Sequence, residues 1–263
     1  MLALLMFAPP AKSASLIVNG SFDAPGTAIG GFSSTCTSPA PTCPALPGWS
    51  VQILPGNGQI DCVVPGNAGA APTLVCTPGD PPSTHVDSGG YKFTLWAAPG
   101  PSPDAGNYFL ADGGTPFSGA LSQTLTGLTV GQLYKLSFWQ ASTQEDCLYD
   151  DGVNCDPPGN ANLTEKWQVT FGTTVLTSTT MSTPIHTSFP WNQQIMFFTA
   201  TSATQVLKFL AQGTPDSGPP IVLLDGVTLE QAPEARTSAL LVLGLLCIAV
   251  GRRMLEKRRK RAT

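Results

Sequence analysis

The residues in this sequence that are best suited to ligand chemistry are aromatic side chains in or beside predicted loops. Sugar recognition on a β-sheet scaffold uses the apolar face of an aromatic ring, while neighbouring amides and carboxylates fix the orientation of the sugar. The candidates for a sugar-binding surface are Trp96, Tyr108, Phe117, Tyr149 and Trp191. For each ring, the alternative is packing over one end of the core. Trp49, Trp139 and Trp167 are expected to be core residues.

The cysteines predict a second kind of chemistry, disulfide formation. Six of the seven fall into sequential near pairs: Cys36 and Cys43, Cys62 and Cys76, Cys147 and Cys155. Other pairings are formally possible, but local pairing needs the least chain ordering and places each bridge in a Gly/Pro-rich loop. A structural zinc site is the rival explanation. It is disfavoured because there is no C-x-x-C pair and there are only two histidines.

Catalytic motifs are absent from the sequence. It has no G-x-S-x-G, no H-E-x-x-H, no phosphate-binding glycine loop and no C-x-x-C redox pair. Paired carboxylates for glycoside hydrolysis could be chosen from many acidic residues in any fold, so their presence discriminates nothing. We therefore expect no catalytic residues and no enzyme, with a secreted hydrolase as the least favoured alternative.

The formal net charge of −4 is the sum of opposite charges on different segments. Residues 16–232 carry four lysines against 15 acidic residues, a net charge of −11. Residues 233–263 carry eight basic residues against two acidic ones, a net charge of +6. The acidic segment excludes a nucleic-acid binder that works by neutralising phosphates. It also favours a neutral polysaccharide over an anionic one, because like charges repel.

Two apolar segments flank the acidic one. Residues 1–15 contain an apolar run followed by prolines and small residues, which indicates the end of a secretory signal peptide without its basic region. The alternative is an apolar N-terminus buried in the domain. Residues 237–251 carry no charge and would form a helix about 22 Å long, short of the ~30 Å hydrocarbon core.

Although this helix would be short, the residues on either side of 237–251 favour a transmembrane helix. Arg236 and Arg252 can snorkel towards the two interfaces, and the basic tail at 252–263 places the C-terminus in the cytoplasm. Residues 16–232 would then lie outside the membrane. The alternative is a core helix of a soluble domain, which is disfavoured because the cations around it need solvent.

Alternating apolar and polar residues predict strands along the acidic segment. Leu133, Lys135, Ser137 and Trp139 alternate with Tyr134, Leu136 and Phe138, which indicates a strand with one buried face. Further strands are predicted at 167–171, 173–178, 193–199, 205–210 and 221–229. Short strands separated by Gly, Thr, Ser and Pro turns favour an all-β antiparallel sandwich. Residues 31–103 are expected to form a loop-rich insertion.

The C-terminal segment resembles the PEP-CTERM sorting signal of bacterial envelope proteins. Pro233, Glu234 and Ala235 stand at the position of the Pro-Glu-Pro motif, with alanine in place of the second proline, and the hydrophobic span and Arg-rich cluster follow. The resemblance implies an exosortase-type processing enzyme as partner and the inner membrane as the location before processing. The processed protein would lie at the cell surface or in the extracellular matrix, and an unprocessed one would stay anchored.

Motifs spread over residues 16–230 are similar to those of galactose-binding-like jelly-roll domains, which include several carbohydrate-binding modules. The similar segments are LIVNGSFD at 16–23, LPGW at 46–49, ALSQTL at 120–125, GQLYKLSF at 131–138 and LLDGVTL at 223–229. The resemblance implies a jelly-roll β-sandwich that binds carbohydrate. The alternative is a passive structural envelope protein without a sugar ligand.

The same resemblance implies a structural calcium ion that ties the first strand to the last. Its candidate ligands are Asp23 and Asp225, with Asn19 as a weaker one. Calcium requires several hard oxygen donors, which two carboxylates and nearby carbonyl groups would supply. The alternative is that both aspartates only accept hydrogen bonds from turns at the edge of the sandwich.

Overall fold

The computed structural model describes residues 14–23, 46–53, 61–64, 73–76, 93–115, 119–145, 156–232, 244, 245 and 248. It divides into two compact units, Met1–Glu230 and Gln231–Thr263. In the second unit, Gly244, Leu245 and Ile248 are helical. No helix in the described part of the chain is long and apolar enough to cross a membrane.

The described part of the first unit is built from strands, which form because β-branched and aromatic residues alternate with polar ones. The early strands are β1 (Ser50–Ile53), β2 (Asp61–Val64), β3 (Thr73–Cys76), β4 (Phe93–Leu95), β5 (Tyr108–Asp112) and β6 (Gly119–Thr126). The later ones are β7 (Leu133–Gln144), β8 (Leu163–Phe171), β9 (Thr174–Thr177), β10 (Met181–Thr183), β11 (Ser188–Thr199), β12 (Thr204–Thr214) and β13 (Pro220–Gln231). A 3-10 turn at Pro158–Asn160 precedes β8.

The strands pair into two antiparallel sheets. Sheet A has the order β11-β7-β13-β5-β2, and sheet B has the order β1-β6-β12-β8-β10 with β9 paired to β8. Most successive strands from β5 onward alternate between the sheets, as in a double-sheet jelly roll. The predicted all-β antiparallel sandwich is therefore confirmed. A separate hairpin joins β3 to β4.

The main core lies between the sheets and is rich in aromatic rings. Trp49 and Trp167 are buried in it, as predicted, and Phe209 packs edge-on against both. The Trp167 indole N–H donates to the Leu223 carbonyl oxygen at 3.0 Å, which connects β8 in sheet B to β13 in sheet A. Satisfying the indole N–H in this way allows a tryptophan to be fully buried.

Strand β13 changes the face that it presents to the core. Leu224 and Val227 both lie in the main core, although strict alternation would place residues three apart on opposite faces. The shift occurs at Gly226, whose φ is +58°, a conformation that favours glycine. Asp225 comes before this shift and has the same parity as Leu223, so both lie on the outer side of sheet A.

A second, smaller core covers part of that outer side. It consists of Leu95, Tyr108, Leu110, Ala141, Ile221 and Leu223, with Trp191 packed against it. Strand β5 is consequently buried on both faces. The remainder of the outer side of sheet A, along β7 and β11, is not covered by this core.

Segment 31–103, which was expected to be a loop-rich insertion, includes four short strands among its described residues. It contains β1 and β2, which pair with β6 of sheet B and β5 of sheet A, together with the β3–β4 hairpin. Cys62 and Cys76 lie in β2 and β3 rather than in loops. These strands of three or four residues are too short to show a period among so many prolines and glycines.

The N-terminal segment 14–23 runs beside the last strand. The Val227 N–H donates to the Gly20 carbonyl at 3.0 Å, and the Leu16 N–H donates to the Leu229 carbonyl at 2.9 Å. The Gln123 side chain of β6 binds both the N–H and the carbonyl of Val18, each at 2.9 Å. The first segment is thus held by both sheets.

Several predictions fall outside the described residues. They concern Phe117, Tyr149, Cys36, Cys43, Cys147, Cys155, the motif Pro233, Glu234 and Ala235, and the tail 252–263. The side chains of Cys62 and Cys76 also fall outside the description, so the three disulfides stay predictions.

Candidate functional site

An open row of apolar and polar side chains lies on the outer side of sheet A. Strand β11 pairs with β7 in the register Gln193 to Trp139, Ile195 to Ser137 and Phe197 to Lys135. Because side chains of one parity share a face, all of these point outward together. We call this surface the β7–β11 face and define it by the residues Leu133, Lys135, Ser137, Trp139, Gln193, Ile195, Phe197 and Thr228.

The β7–β11 face combines apolar area with hydrogen-bonding groups. The exposed fractions of Ile195 and Phe197 are 51% and 53%, so two large apolar side chains meet solvent on the same face of one strand. The Trp139 indole is half-buried beside them, and Gln193 presents its amide on the neighbouring strand. The hydroxyl oxygens of Ser137 and Thr228 lie 2.7 Å apart. Such a surface can stack on the apolar face of a sugar and bind its hydroxyl groups.

Trp191 is the predicted candidate nearest to this face. It lies on β11 two residues before Gln193, half-buried against the second core. Its indole N–H donates to the Gly100 carbonyl oxygen at 3.0 Å, and its ring meets that of Tyr108 edge-on, with the centroids 5.3 Å apart. From Trp191 to Phe197 the strand extends roughly 20 Å. Trp191 therefore borders the β7–β11 face at one end.

The structure buries Tyr108, one of the candidates for the sugar-binding surface. Tyr108 begins β5, is 1% exposed and packs in the second core, where burial raises the pKa of its hydroxyl. Because β5 is covered on both sides, the sequence YFLAD shows no alternation that could have placed it in a strand. Its ring is unavailable to a ligand in this structure.

Trp96 lies at a different place, in a polar cluster after β4. Its ring stacks on the His186 imidazole with the centroids 3.8 Å apart. The His186 Nε2 atom lies 2.8 Å from an Asp156 carboxylate oxygen, and the His186 backbone N–H donates to Gln144. This packing matches the alternative role for a loop aromatic, in which the ring covers the end of the sandwich.

Trp139 is the residue that sequence reasoning placed wrongly. It was expected in the core, but it shares its face with Lys135 and Ser137 and is half-buried on the outside. The alternation in β7 predicts the outward position of Trp139, because Tyr134, Leu136 and Phe138 are the buried residues of this strand. The hydrophobicity of tryptophan is a weaker guide than its position in the strand.

The aspartates predicted to bind calcium do come together. Asp225 is completely buried, while Asp23 and Asp104 are exposed beside it. Burial, followed by the charges of Asp104 and Asp23, raises the pKa of the Asp225 carboxyl to about 8. The Ser102 hydroxyl and the Gly226 N–H act in the opposite direction, although neither makes a hydrogen bond of good geometry with the carboxylate. Both Asp225 oxygens are thus buried without a hydrogen-bond partner.

A backbone group fixes the exposed carboxylate of Asp23. The Asn107 N–H donates to an Asp23 carboxylate oxygen at 2.7 Å. A methyl group on Gly106 would lie 2.1 Å from the same oxygen, so only glycine permits this close approach. Burial, followed by the charge of Asp23, raises the pKa of Asp104. Sequence reasoning missed Asp104 because it lies in a loop without a recognisable motif.

Asn19 has a structural role in this arrangement. Its side-chain amide donates to the Pro47 carbonyl, and its own carbonyl accepts the Trp49 indole N–H at 2.9 Å. Among the described residues, no three Asp, Glu, His or Cys side chains are positioned to hold a metal ion. A calcium ion at Asp225 would therefore need carbonyl oxygens as well as carboxylates.

Two other carboxyls are buried in the sandwich. Glu165 accepts a hydrogen bond from the Thr183 hydroxyl at 2.9 Å, and burial raises its pKa to about 8. Asp112 accepts the Gly114 N–H at 2.6 Å, and burial raises its pKa to about 7. One oxygen of each carboxyl has no hydrogen-bond partner. Both groups would hold a proton in the folded state at mildly acidic pH.

A groove of about 370 Å³ lies along sheet B. Its lining includes the outward-facing side chains of Thr164, Lys166, Gln212 and Thr214, together with Thr115. The lining contains no aromatic ring. The groove is thus chemically different from the β7–β11 face.

No protein-family model and no curated protein matches the chain. Solved structures do. One is the carbohydrate-binding module TmCBM61 in complex with beta-1,4-galactotriose, with 12% identity over 84% of this chain and 100% of that one, and a TM-score of 0.40. Another is the K1 cleaved adhesin domain of Lys-gingipain from Porphyromonas gingivalis, with 11% identity over 71% and 92% of the two chains and a TM-score of 0.39. A third is the CBM22-1 xylan-binding domain from Paenibacillus barcinonensis Xyn10C, with 12% identity over 66% and 94% and a TM-score of 0.33.

Proposed function

We propose that this chain is a carbohydrate-binding module that binds a polysaccharide on the β7–β11 face without catalysing a reaction. The main observation behind the proposal is that Ile195 and Phe197 on β11 are 51% and 53% exposed. They lie on the same face as Trp139 of the paired strand β7. Apolar side chains on a sheet face remain this exposed at a cost in solubility, which a ligand-binding role explains.

The polar groups of the face suit a neutral sugar. Gln193 offers both a donor and an acceptor, and the paired hydroxyls of Ser137 and Thr228 offer more. Lys135 contributes the one charge among the defining residues of the face. Stacking supplies apolar contact area, and the amide and hydroxyl groups fix the orientation of the sugar.

Retention in polysaccharide gels tests this proposal. The full-length protein should be retarded by at least one neutral polysaccharide, such as galactan or xylan, in native affinity electrophoresis. Trp139→Ala should abolish the retardation, whereas Val206→Ala should preserve it, because Val206 is an exposed apolar residue on sheet B. Equal migration of wild type and Trp139→Ala in every gel would contradict the proposal.

The proposal includes a structural calcium ion, which the resemblance to galactose-binding-like jelly rolls implies. The buried, unpartnered carboxylate of Asp225, with Asp23 and Asp104 beside it, supports a cation at this point. Oxygen donors of this kind fit calcium. Asp225 and Asp23 would hold the ion, which would neutralise their mutual repulsion and fasten the N-terminal segment to β13.

The location of the protein is part of the proposal. The signal-like segment 1–15 and the paired cysteines support export to an oxidising compartment. The apolar segment 237–251 and its basic tail support a membrane anchor with the sandwich outside, and the Pro233-Glu234-Ala235 motif supports processing by an exosortase-type enzyme. Mass spectrometry of the protein from its native envelope would identify both mature ends, and intact termini would contradict processing.

A further inference from the structure

The outer face of sheet B differs in charge from the rest of this acidic domain. In the described parts of β6, β8, β9 and β12, no outward-facing side chain is acidic. Two of the four lysines in residues 16–232, Lys166 on β8 and Lys208 on β12, face outward here. An acid-free face with two cations is unexpected in a segment whose net charge is −11.

Pairing registers place the two lysines on adjacent strands. Lys166 is opposite Gln212, and Lys208 is opposite Thr170. Since four residues of β12 separate Lys208 from Gln212, the lysines lie roughly 14 Å apart along the strands. The outward positions between and around them hold hydroxyl and amide side chains and one apolar side chain, namely Thr164, Gln168, Thr170, Gln212, Thr214 and Leu210.

The groove described above begins at Lys166 and gives this face a concave surface. Its volume of about 370 Å³ lies within the range of small-molecule binding sites. The one acidic residue in its lining, Glu165, directs its carboxyl inward to Thr183 and is completely buried. Since burial raises the pKa of Glu165 to about 8, this carboxyl carries little charge at neutral pH.

An exposed acid, Asp216, lies at the end of the groove away from Lys208. It accepts the backbone N–H of Thr115, which lines the groove. An anionic ligand would be repelled at this end and attracted at the other. We therefore expect an acidic group to bind at the lysine end of the groove, away from Asp216.

We propose that the outer face of sheet B is a second glycan-binding site, for an acidic polysaccharide whose carboxylate groups bind Lys166 and Lys208. The hydroxyl and amide groups around the lysines would bind the sugar hydroxyls. This site is separate from the β7–β11 face, which lies on the opposite sheet and takes a neutral sugar. The domain would thus contact two kinds of polysaccharide at once.

The experiment is native affinity electrophoresis of the full-length protein in gels containing polygalacturonate, with dextran sulfate and duplex DNA as other polyanions. Polygalacturonate should retard the wild type, and added salt should weaken the effect because the contacts are exposed ion pairs. Lys166→Gln and Lys208→Gln should each weaken binding about two- to fivefold, which is the range expected for one exposed charge pair. Lys135→Gln, the same change on sheet A, should have no effect.

Asp216→Asn gives an independent test, because removing the repelling charge should tighten binding. Trp139→Ala should leave polygalacturonate binding unchanged, so that failure of this site and failure of the proposed neutral-sugar site are told apart. The proposal is overturned if polygalacturonate does not retard the wild type or if the Lys166→Gln, Lys208→Gln double variant binds as well as the wild type. A clear preference for DNA or dextran sulfate over polygalacturonate would overturn it equally.

Discussion

Gln193 lies directly opposite Trp139 in the antiparallel register of β11 and β7, with both side chains on the outer side of sheet A. Directly opposed residues have Cβ atoms about 5 Å apart, so the amide and the indole form one continuous surface. An aromatic ring beside an amide can stack on a sugar and bind its hydroxyl groups. The pairing of the two side chains follows from the strand register.

Glu165→Gln should increase the stability of the domain at alkaline pH. In the unfolded chain this carboxyl has the ordinary glutamate pKa of 4.5, whereas burial in the fold raises the pKa to about 8. The folded state therefore binds more protons, and stability falls as the pH rises from about 5 to 8. The glutamine variant should match the wild type at pH 5 and exceed it by roughly 3 kcal/mol at pH 8.

Urea unfolding at the two pH values measures this difference. Glu230→Gln makes the same substitution at a half-buried position of β13 and serves as the matched control. If Glu165→Gln lost stability between pH 5 and pH 8 as steeply as the wild type, the inward carboxyl would not hold its proton.

Calcium should raise the melting temperature of the wild type. A ligand that binds only the folded state adds roughly 2–3 kcal/mol at a concentration about a hundredfold above its dissociation constant. Asp225→Asn removes the buried charge that would bind the ion, so the variant should melt at the same temperature with calcium and with a chelator. Asp216→Asn, an exposed acid outside the cluster, should respond like the wild type. If calcium did not change the melting temperature of the wild type, the proposed calcium site would be contradicted.

Gln123→Ala should destabilise the domain, because the Gln123 side chain makes two hydrogen bonds to the backbone of Val18. Their loss leaves Val18 polar groups without partners and should cost about 1–3 kcal/mol. Gln168→Ala, at a half-buried outward position of β8, should cost about 0.5 kcal/mol or less. Chemical denaturation of the three proteins compares these values, and equal costs would show that the N-terminal segment contributes no stability.

Long strands with one buried face were predictable from the sequence. The strand predicted over Leu133 to Trp139 extends to Gln144 in the fold, although burial alternates only as far as Gln140. The predicted strands at 193–199 and 205–210 lie within β11 and β12. In these strands, burial on one side and solvent on the other produce a period of two. The two-sheet architecture follows from this pattern.

Strands buried on both faces, and the site itself, were less predictable. Tyr108 lies in a doubly covered strand that shows no alternation, and the covering hairpin comes from a segment dense in glycine and proline. Gly226 shifts the alternation of β13 between Leu224 and Val227, which the local sequence pattern does not indicate. Asp104 joins the acidic cluster only through tertiary contacts. Trp139, in contrast, could have been placed correctly from its parity alone.

Isothermal titration of a neutral oligosaccharide, chosen by the gel screen, into the full-length protein measures whether the β7–β11 face binds sugar. We expect saturable binding to the wild type and a loss of roughly tenfold or more in affinity for both Trp139→Ala and Phe197→Ala. Val206→Ala should bind like the wild type. Affinities that are unchanged in both aromatic variants, while the proteins remain folded, would contradict the claim that the β7–β11 face binds the sugar.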